Sequence, residues 1–484
     1  MTFAVVASLT LSACSLGPDY AHPQGLEDTY SVHGSPDASA PLIEPDTPWW
    51  SRFSDPVLTS LIHRALHSNL DLEASRLRIE QSRSALQIAD AERLPQLDAS
   101  AGYQRRRSSE NGLSDPSEQD GKSAFGFWEG GVKMSWELDL WGRVRRQREA
   151  ARADADQALF DASGVRLALL AETAQTYIRL RGAQTMLLIT QDNLSLARRG
   201  LALSRIRESD GVSTRLDVAE AAAQVASFEA RLPLLEQRGE RLTNALAYLL
   251  AEAPGALRDE LGEPSATPHL ETDVPPSLPS QLAQRRPDIL RAEAALHAAT
   301  ARIGVARADF YPRIALSGDL GLQSMQLDEF NWNARTFGIG PQVSLPLFDG
   351  GRLRGQLQLT EARQQEAALD YRRIVLRAWH EVDNALAGYR HAQRRRDSLE
   401  EAVEQNRIAA RIAQQQYAEG AVDYLNVLSV QNALLASQEA LAESTSEASL
   451  ALVDLYKAVG GGWANEAGTR PIHSFLLGSL EKQP

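Results

Sequence analysis

The chain has 484 residues, with 50 basic and 63 acidic side chains and a formal net charge of −13, which excludes a bulk nucleic-acid-binding face. Hydrophobic residues make up 43% and charged residues 23%, a folded protein's composition that excludes wholesale disorder. The one cysteine, Cys14, excludes an internal disulfide, and the lack of any long apolar run beyond the first residues excludes an ordinary transmembrane helix but not a β-barrel.

Residues 1–13 read as the remnant of a signal peptide. They end in Leu11-Ser12-Ala13-Cys14, which resembles the lipobox of bacterial lipoproteins. The resemblance implies cleavage before Cys14 and acylation of its thiol and new amine, because several acyl chains anchor where one is marginal. Ser15, rather than Asp, resembles an outer-membrane sorting signal. Residues 14–47, rich in Pro, Ser, Asp and Gly, read as a lipidated tether.

Order begins at Trp49-Trp50, and Asp55-Pro56 is suited to capping a short helix. Asn69 to Leu94 reads as a helix, with Leu72, Ile79 and Leu86 one heptad apart and Pro95 as its stop. The period then becomes two. Apolar residues alternate with polar ones from Leu97 to Tyr103, and again through Val132, Met134, Trp136, Leu138 and Leu140, predicting one long hairpin with a polar tip.

Gly142 to Arg207 predicts a long helix of coiled-coil type. Leu180, Leu187, Leu194 and Leu201 form a seam with the small residues Ala183, Thr190, Ala197 and Ser204. Asp210-Gly211 marks a turn into a second helix, from about Thr214 to Leu250, with a kink expected at Pro233. Residues 254–287 read as a Pro-rich linker. The pattern then recurs: a helix over Asp288–Asp309, alternating strands around Ile314–Leu322 and Phe337–Leu347, a long helix to about Ala418, a turn at Gly420 and a helix over Asp423–Val459.

The recurrence holds residue by residue. Leu138-Asp139-Leu140-Trp141 matches Leu345-Pro346-Leu347-Phe348 at an offset of 207, and Gly211–Val218 matches Gly420–Val427 at an offset of 209. The chain is therefore expected to hold two copies of one unit, 48–253 and 288–462, followed by a tail, 463–484. Four half-apolar strands cannot close a barrel, and open strand edges are not tolerated in lipid, so membrane-spanning strands require oligomerisation.

In these residues the chain resembles the TolC family of outer-membrane ducts, in the lipoprotein (NodT-type) branch that serves resistance–nodulation–division pumps. The resemblance rests on Leu-Ser-Ala-Cys14, Trp50-x-x-Phe53-x-Asp55-Pro56, the run Ser135–Arg143 and Arg286-Pro287-Asp288-Ile289. Phe310-Tyr311-Pro312, Leu345–Gly351 and Leu455–Trp463 complete it. It implies a mixed α/β membrane protein: a homotrimer whose 4 strands per chain close a 12-stranded β-barrel, continued by a long periplasmic α-helical barrel. The implied function is a passive exit duct for small molecules, fed by a periplasmic adaptor and an inner-membrane pump.

The resemblance also implies that polar residues just after the helix turns constrict the pore. By the 209 offset, Asp217 and Glu220 correspond to Asn426 and Ser429, so an acidic ring would come from the first copy. Leu425 is a candidate apolar constriction, and Asp210, Gly211, Glu419 and Gly420 are candidate adaptor contacts. The plain alternative for Asp217 and Glu220 is a solvated helix face, and for Leu425 a core position.

His63 and His67 have metal-compatible spacing but lack the accompanying glutamate and a third ligand, so no metal or cofactor is expected. Arg105-Arg106-Arg107 falls near the outer end of a strand, at the level of lipopolysaccharide phosphates, whereas Arg394-Arg395-Arg396 reads as a solvated helix face. The sequence holds no Gly-x-Ser-x-Gly elbow and no phosphate-binding glycine loop, so an enzyme is not expected. The rival reading is a structural envelope lipoprotein without a pore; four strands with an apolar face argue against it.

Overall fold

A computed structural model of the chain describes residues 15–23, 48–111, 118, 123–270 and 285–462. Cys14, the tip of the first hairpin and the tail fall outside the described residues. In chain order the elements are α1 (Pro56–Ser68), α2 (Leu70–Ala91), β1 (Gln96–Arg106), β2 (Phe125–Glu137), α3 (Arg143–Ser209) and α4 (Arg215–Leu249). They continue with α5 (Arg258–Leu261), α6 (Pro287–Ala308), β3 (Arg313–Ser324), β4 (Arg335–Ser344), α7 (Arg352–Ala418) and α8 (Tyr424–Ala458). The lengths recur: α3 and α7 have 67 residues each, α4 and α8 have 35 each. At 1.5 Å per residue a 67-residue helix is about 100 Å long.

Two local expectations change. The helix expected over Asn69–Leu94 is joined to α1 at Asn69, whose side chain caps Leu72 N–H (3.0 Å) and donates to the Leu249 carbonyl (2.9 Å), and it ends at Ala91. The linker contains the four-residue helix α5 rather than being irregular throughout.

Two compact units are present. The first comprises Met1–Pro23, Arg78–Leu159 and Arg291–Arg372 and holds the sheet. Its strands pair antiparallel in the order β1-β2-β3-β4. The register sorts side chains by chemistry. One face carries the rows Leu97, Met134, Gly318, Ile339 and Ala99, Val132, Leu320, Phe337. The opposite face carries Asp98, Lys133, Asp319 and Gly338 in a single row, so Lys133 lies between two carboxylates on neighbouring strands.

Where β2 meets β3 the backbones approach so closely that a Cβ on Gly131 would lie 2.6 Å from Gly321 Cα, so only glycine fits. Aromatic residues bracket the apolar face. Tyr103 packs on Trp128 at 4.4 Å toward the hairpin end, and Trp136 donates to the Arg93 carbonyl (3.0 Å) at the helix end. The eight steps along β2 from Trp128 to Trp136 span about 26 Å, the height of a lipid-facing band.

The first unit also seats residues 15–22 as an extended strap. Leu16 N–H donates to the Trp141 carbonyl (3.2 Å), and the Arg146 guanidinium donates to the Leu16 carbonyl (3.2 Å) and Asp19 (2.5 Å). Tyr20 stacks on His297 at 4.4 Å and donates to Glu293 (3.0 Å).

The second unit comprises Gln24–Leu77, Phe160–Leu290 and Arg373–Pro484 and contains the largest core. Asp55 caps α1 as its sequence predicts, accepting from Val57 and Leu58 N–H (both 2.9 Å), while its second oxygen accepts from Tyr177 (2.8 Å). Leu58, Leu61 and Ile62 are thereby held in full burial. Trp49 stacks on Tyr456 at 5.2 Å.

Arg286 ties three helices together in this unit. Its guanidinium donates to both oxygens of Asp288 (3.0 and 2.8 Å), to Glu381 (2.6 Å) and to the Ala458 carbonyl (3.0 Å). Removing it leaves the buried Ala458 carbonyl without its donor, while Asp288 and Glu381, 40% and 45% exposed, turn to water, so Arg286→Ala should cost about 1–2 kcal/mol of stability. Urea unfolding in detergent measures this, and an unshifted midpoint would refute it.

Candidate functional site

The two helix turns are built alike from different residues. α3 stops where Gly211 takes φ +74°, with Val212 and Ser213 N–H both returning to the Arg207 carbonyl (2.9 and 3.1 Å). α7 stops where Gly420 takes φ +80°, with Ala421 N–H on the Gln416 carbonyl (2.8 Å). An L side chain rarely adopts that backbone, which is why glycine marks both turns.

The helices that follow start on equivalent caps. Thr214 begins α4 with a reciprocal capping box: its hydroxyl accepts from Asp217 N–H (3.3 Å), and Asp217 accepts from Thr214 N–H (2.9 Å). Asp217 also accepts from the Ser213 hydroxyl (2.5 Å). Asp423 begins α8 alone, accepting from Asn426 N–H (3.1 Å).

Between the turns lies a clasp. Arg207 donates to the Tyr417 carbonyl (2.7 Å), and its guanidinium lies 4.6 Å from the centre of the Tyr417 ring. Tyr417 meets Tyr424 edge-on at 5.5 Å, and both are buried with Ala221 and Val427. Tyr424 is 2% exposed, and its hydroxyl has no hydrogen-bond partner. Burial, then the Tyr417 hydroxyl and the Glu220 charge, push the Tyr424 hydroxyl above its ordinary range. Glu220 likewise has one buried carboxylate oxygen without a partner.

Farther from the turns, α4 and α8 touch through matching positions. Gln224 donates to Asn432 (3.0 Å) and Arg231 to Glu439 (2.8 Å), both at an offset of 208 residues. A constant offset over 7 residues means that the helices run parallel, with the two copies facing each other like to like.

The expected site residues thus divide. Asp217 is committed to a helix cap, whereas Glu220 turns toward Tyr424, so within the chain they do not act as an acidic pair. Leu425, Asn426 and Ser429 lie on the exposed side of α8, opposite the buried Tyr424 and Val427. Asp210, Gly211, Glu419 and Gly420 are all exposed at the turns. Arg207, Tyr417 and Tyr424 did not emerge from the sequence. The first two precede their turn glycines by four and three residues, and attention to the residues after the turns passes over them.

His67 Nδ1 bonds to the His63 carbonyl (2.8 Å), which orients that ring along its own helix rather than toward a shared ligand. Among the described residues no cluster of metal-ligating side chains occurs, and no helix is long and apolar enough to cross a membrane.

Hydrogen bonds from Ser213 and Thr214 hold the Asp217 carboxyl below its ordinary value of 3.8. A lowered pKa stabilises the fold above the ordinary value and is lost as pH falls through the folded one. Asp217→Asn should therefore speed amide exchange over residues 215–218 at neutral pH, with the difference from the parent shrinking as the pH drops below 3.8. Thr214→Ala should cost about 1 kcal/mol at the same turn. A pH-independent difference for Asp217→Asn would show that its charge is not part of the cap.

Comparison with known proteins places these features. Residues 61–252 and 278–461 match the family described as outer membrane efflux protein. Outer membrane protein OprJ of Pseudomonas aeruginosa is 34% identical over 473 residues, 97% of each chain. Nodulation protein T of Rhizobium leguminosarum bv. trifolii is 30% identical over 459 residues, 94% of this chain and 96% of its own. The solved structure of the outer-membrane channel OprN superposes with a TM-score of 0.85 at 33% identity, covering 93% of this chain and 100% of that one.

Proposed function

The chain belongs to the outer membrane efflux protein family, and from that premise we propose that its duct closes at the paired helix turns and opens when the Arg207 clasp lets go. It is the outer-membrane channel of a tripartite efflux system, a passive exit for small molecules that works with a periplasmic adaptor and an inner-membrane pump. It is a lipid-anchored, barrel-inserted outer-membrane protein that extends into the periplasm. Three chains of four strands give a barrel of 12, with the apolar rows to lipid and the Asp98–Lys133–Asp319 row to the lumen.

The observation that carries the gating role is the Arg207–Tyr417 link, since it ties the end of α3 to the end of α7 at the turns themselves. Leu425, Asn426 and Ser429, exposed on α8, are the residues left to face the pore, and Glu220 acts through Tyr424 rather than as a ring with Asp217. The adaptor contacts are Asp210, Gly211, Glu419 and Gly420. Cys14 is the lipid attachment: Ser15 and Leu16 sit at the β2–α3 junction, where the sheet ends. The chain is a duplication of 48–253 and 288–462, supported by the equal helix lengths. The family's members are channels rather than enzymes, and the chain carries no catalysis of its own; transport energy comes from the pump.

A charged hydrogen bond contributes roughly 1.5 kcal/mol, about tenfold in an equilibrium. Arg207→Ala should therefore raise single-channel open probability in planar bilayers by about tenfold. Unchanged gating in that variant would mean that the turns are held by other contacts. The absence of conductance in both proteins would favour a scaffold without a pore.

A further inference from the structure

The strand register splits the Arg105-Arg106-Arg107 triplet between two environments. On β1 the apolar face is carried by Leu97, Ala99, Ala101 and Tyr103, and Arg105 continues that alternation. Arg106 therefore points to the polar, lumenal side, while Arg105 stands on the lipid side one row beyond the Tyr103–Trp128 pair. Arg107, past the strand, is engaged by Glu110 at 2.8 Å.

A second arginine stands on the same face at the hairpin end of the other edge strand, in the row Ala101–Gly130–Leu322–Arg335, one row nearer the helices than Tyr103–Trp128. Arg335 opens β4 opposite Leu322, on the face that carries Phe337, Ile339 and Val343. It follows Trp332, which is 67% exposed, and donates to the Trp332 carbonyl (3.1 Å). Both strand ends lie at the hairpin side of the sheet, away from the helices that enter and leave it.

Among the described residues neither Arg105 nor Arg335 forms an ion pair, whereas Arg64, Arg143, Arg146 and Arg302 on the helices do. The nearby acids Asp328 and Glu329 form none with them, and Glu110 is taken by Arg107. At the hairpin end of a lipid-facing surface, beyond Tyr103–Trp128 for Arg105 and beside the exposed Trp332 for Arg335, an unpaired guanidinium stands at headgroup depth, where its natural counter-charge is phosphate. The sheet order makes β1 and β4 the edges, so closure of the trimer brings β4 of one chain against β1 of the next. Arg335 and Arg105 then flank one seam from opposite sides, and three such seams occur around the barrel.

We propose that Arg105 and Arg335 form, at each subunit seam, a lipid-facing binding site for the phosphate groups of an outer-leaflet glycolipid of the lipid A type. Two guanidinium forks suit a phosphate bidentately, while Tyr103, Trp128 and Phe337 offer the apolar surface along which acyl chains lie. A lipid bound across the seam contacts both chains and so reinforces the edge pairing that closes the barrel.

The test titrates the detergent-solubilised trimer with bisphosphorylated lipid A, dephosphorylated lipid A and inorganic phosphate, counting bound lipid by native mass spectrometry. Up to three bisphosphorylated lipids should bind per trimer. Arg105→Gln with Arg335→Gln should weaken that binding at least about tenfold, as two headgroup contacts of about 1 kcal/mol each predict. Each single variant should show part of the loss if the double variant does not assemble, and Arg106→Gln, on the lumenal side, should show none. Inorganic phosphate should not compete. Unchanged lipid A affinity in the arginine variants, an equal loss from Arg106→Gln, or equal binding of the dephosphorylated lipid would each overturn the proposal. Competition by inorganic phosphate would also overturn it, because it would show an exposed anion site.

Discussion

Hydrocarbon offers no hydrogen bonds, and a four-stranded sheet has two edges of unpaired backbone. Each unsatisfied group in lipid costs several kcal/mol, so this sheet is inadmissible in a membrane as a single copy. Trimerisation is the solution: β4 of one chain supplies the partner that β1 of the next lacks. The sorting of side chains follows from the same condition. Once the sheet is closed, one face meets lipid and the other water, and the register puts Leu320 and Phe337 on the first and Asp319 and Lys133 on the second.

The helix turns show how a duplicated chain has diverged while keeping its frame. Thr214 and Asp423 occupy equivalent positions and both cap a helix, one with a hydroxyl and one with a carboxylate. Gln224 and Asn432 still touch as near-equivalents. The clasp breaks that equivalence. Arg207 corresponds to Gln416 in the other copy, and Tyr417 corresponds to Glu208. A glutamine has no charge to place over an aromatic ring, and a glutamate has no ring to offer, so only one of the two reciprocal links exists.

Most of the fold was legible in the sequence because its elements are long and strongly periodic. A 67-residue helix or an 11-residue strand with one apolar face averages out local noise, and the ends lie within about three residues of where glycine, proline and capping residues put them. The departures are small: α2 ends at Ala91, short of the expected Leu94, and the linker contains the short helix α5. Asn69 separates α1 from α2 where the sequence puts the boundary, its amide on a carbonyl 180 residues away. The candidate site was less legible. Spacing identified the turns and the residues after them, but which way Glu220 turns and whether Asp217 is free depend on partners that no periodicity encodes. The clasp joins residues 210 apart and has no local signature.

The strap at the start of the described chain has a practical side. Residues just after the cysteine proposed as the lipid attachment would pass for an inert leash, free to carry a tag or a spacer. Here Leu16, Asp19 and Tyr20 are fixed to the helices by hydrogen bonds and ring stacking, and Gly17 rests against the backbone at Gly304. The first few residues beyond Cys14 are thus docked on the surface of the helices, half-buried at Leu16, Gly17 and Tyr20, and an insertion there displaces packed structure rather than lengthening a tether.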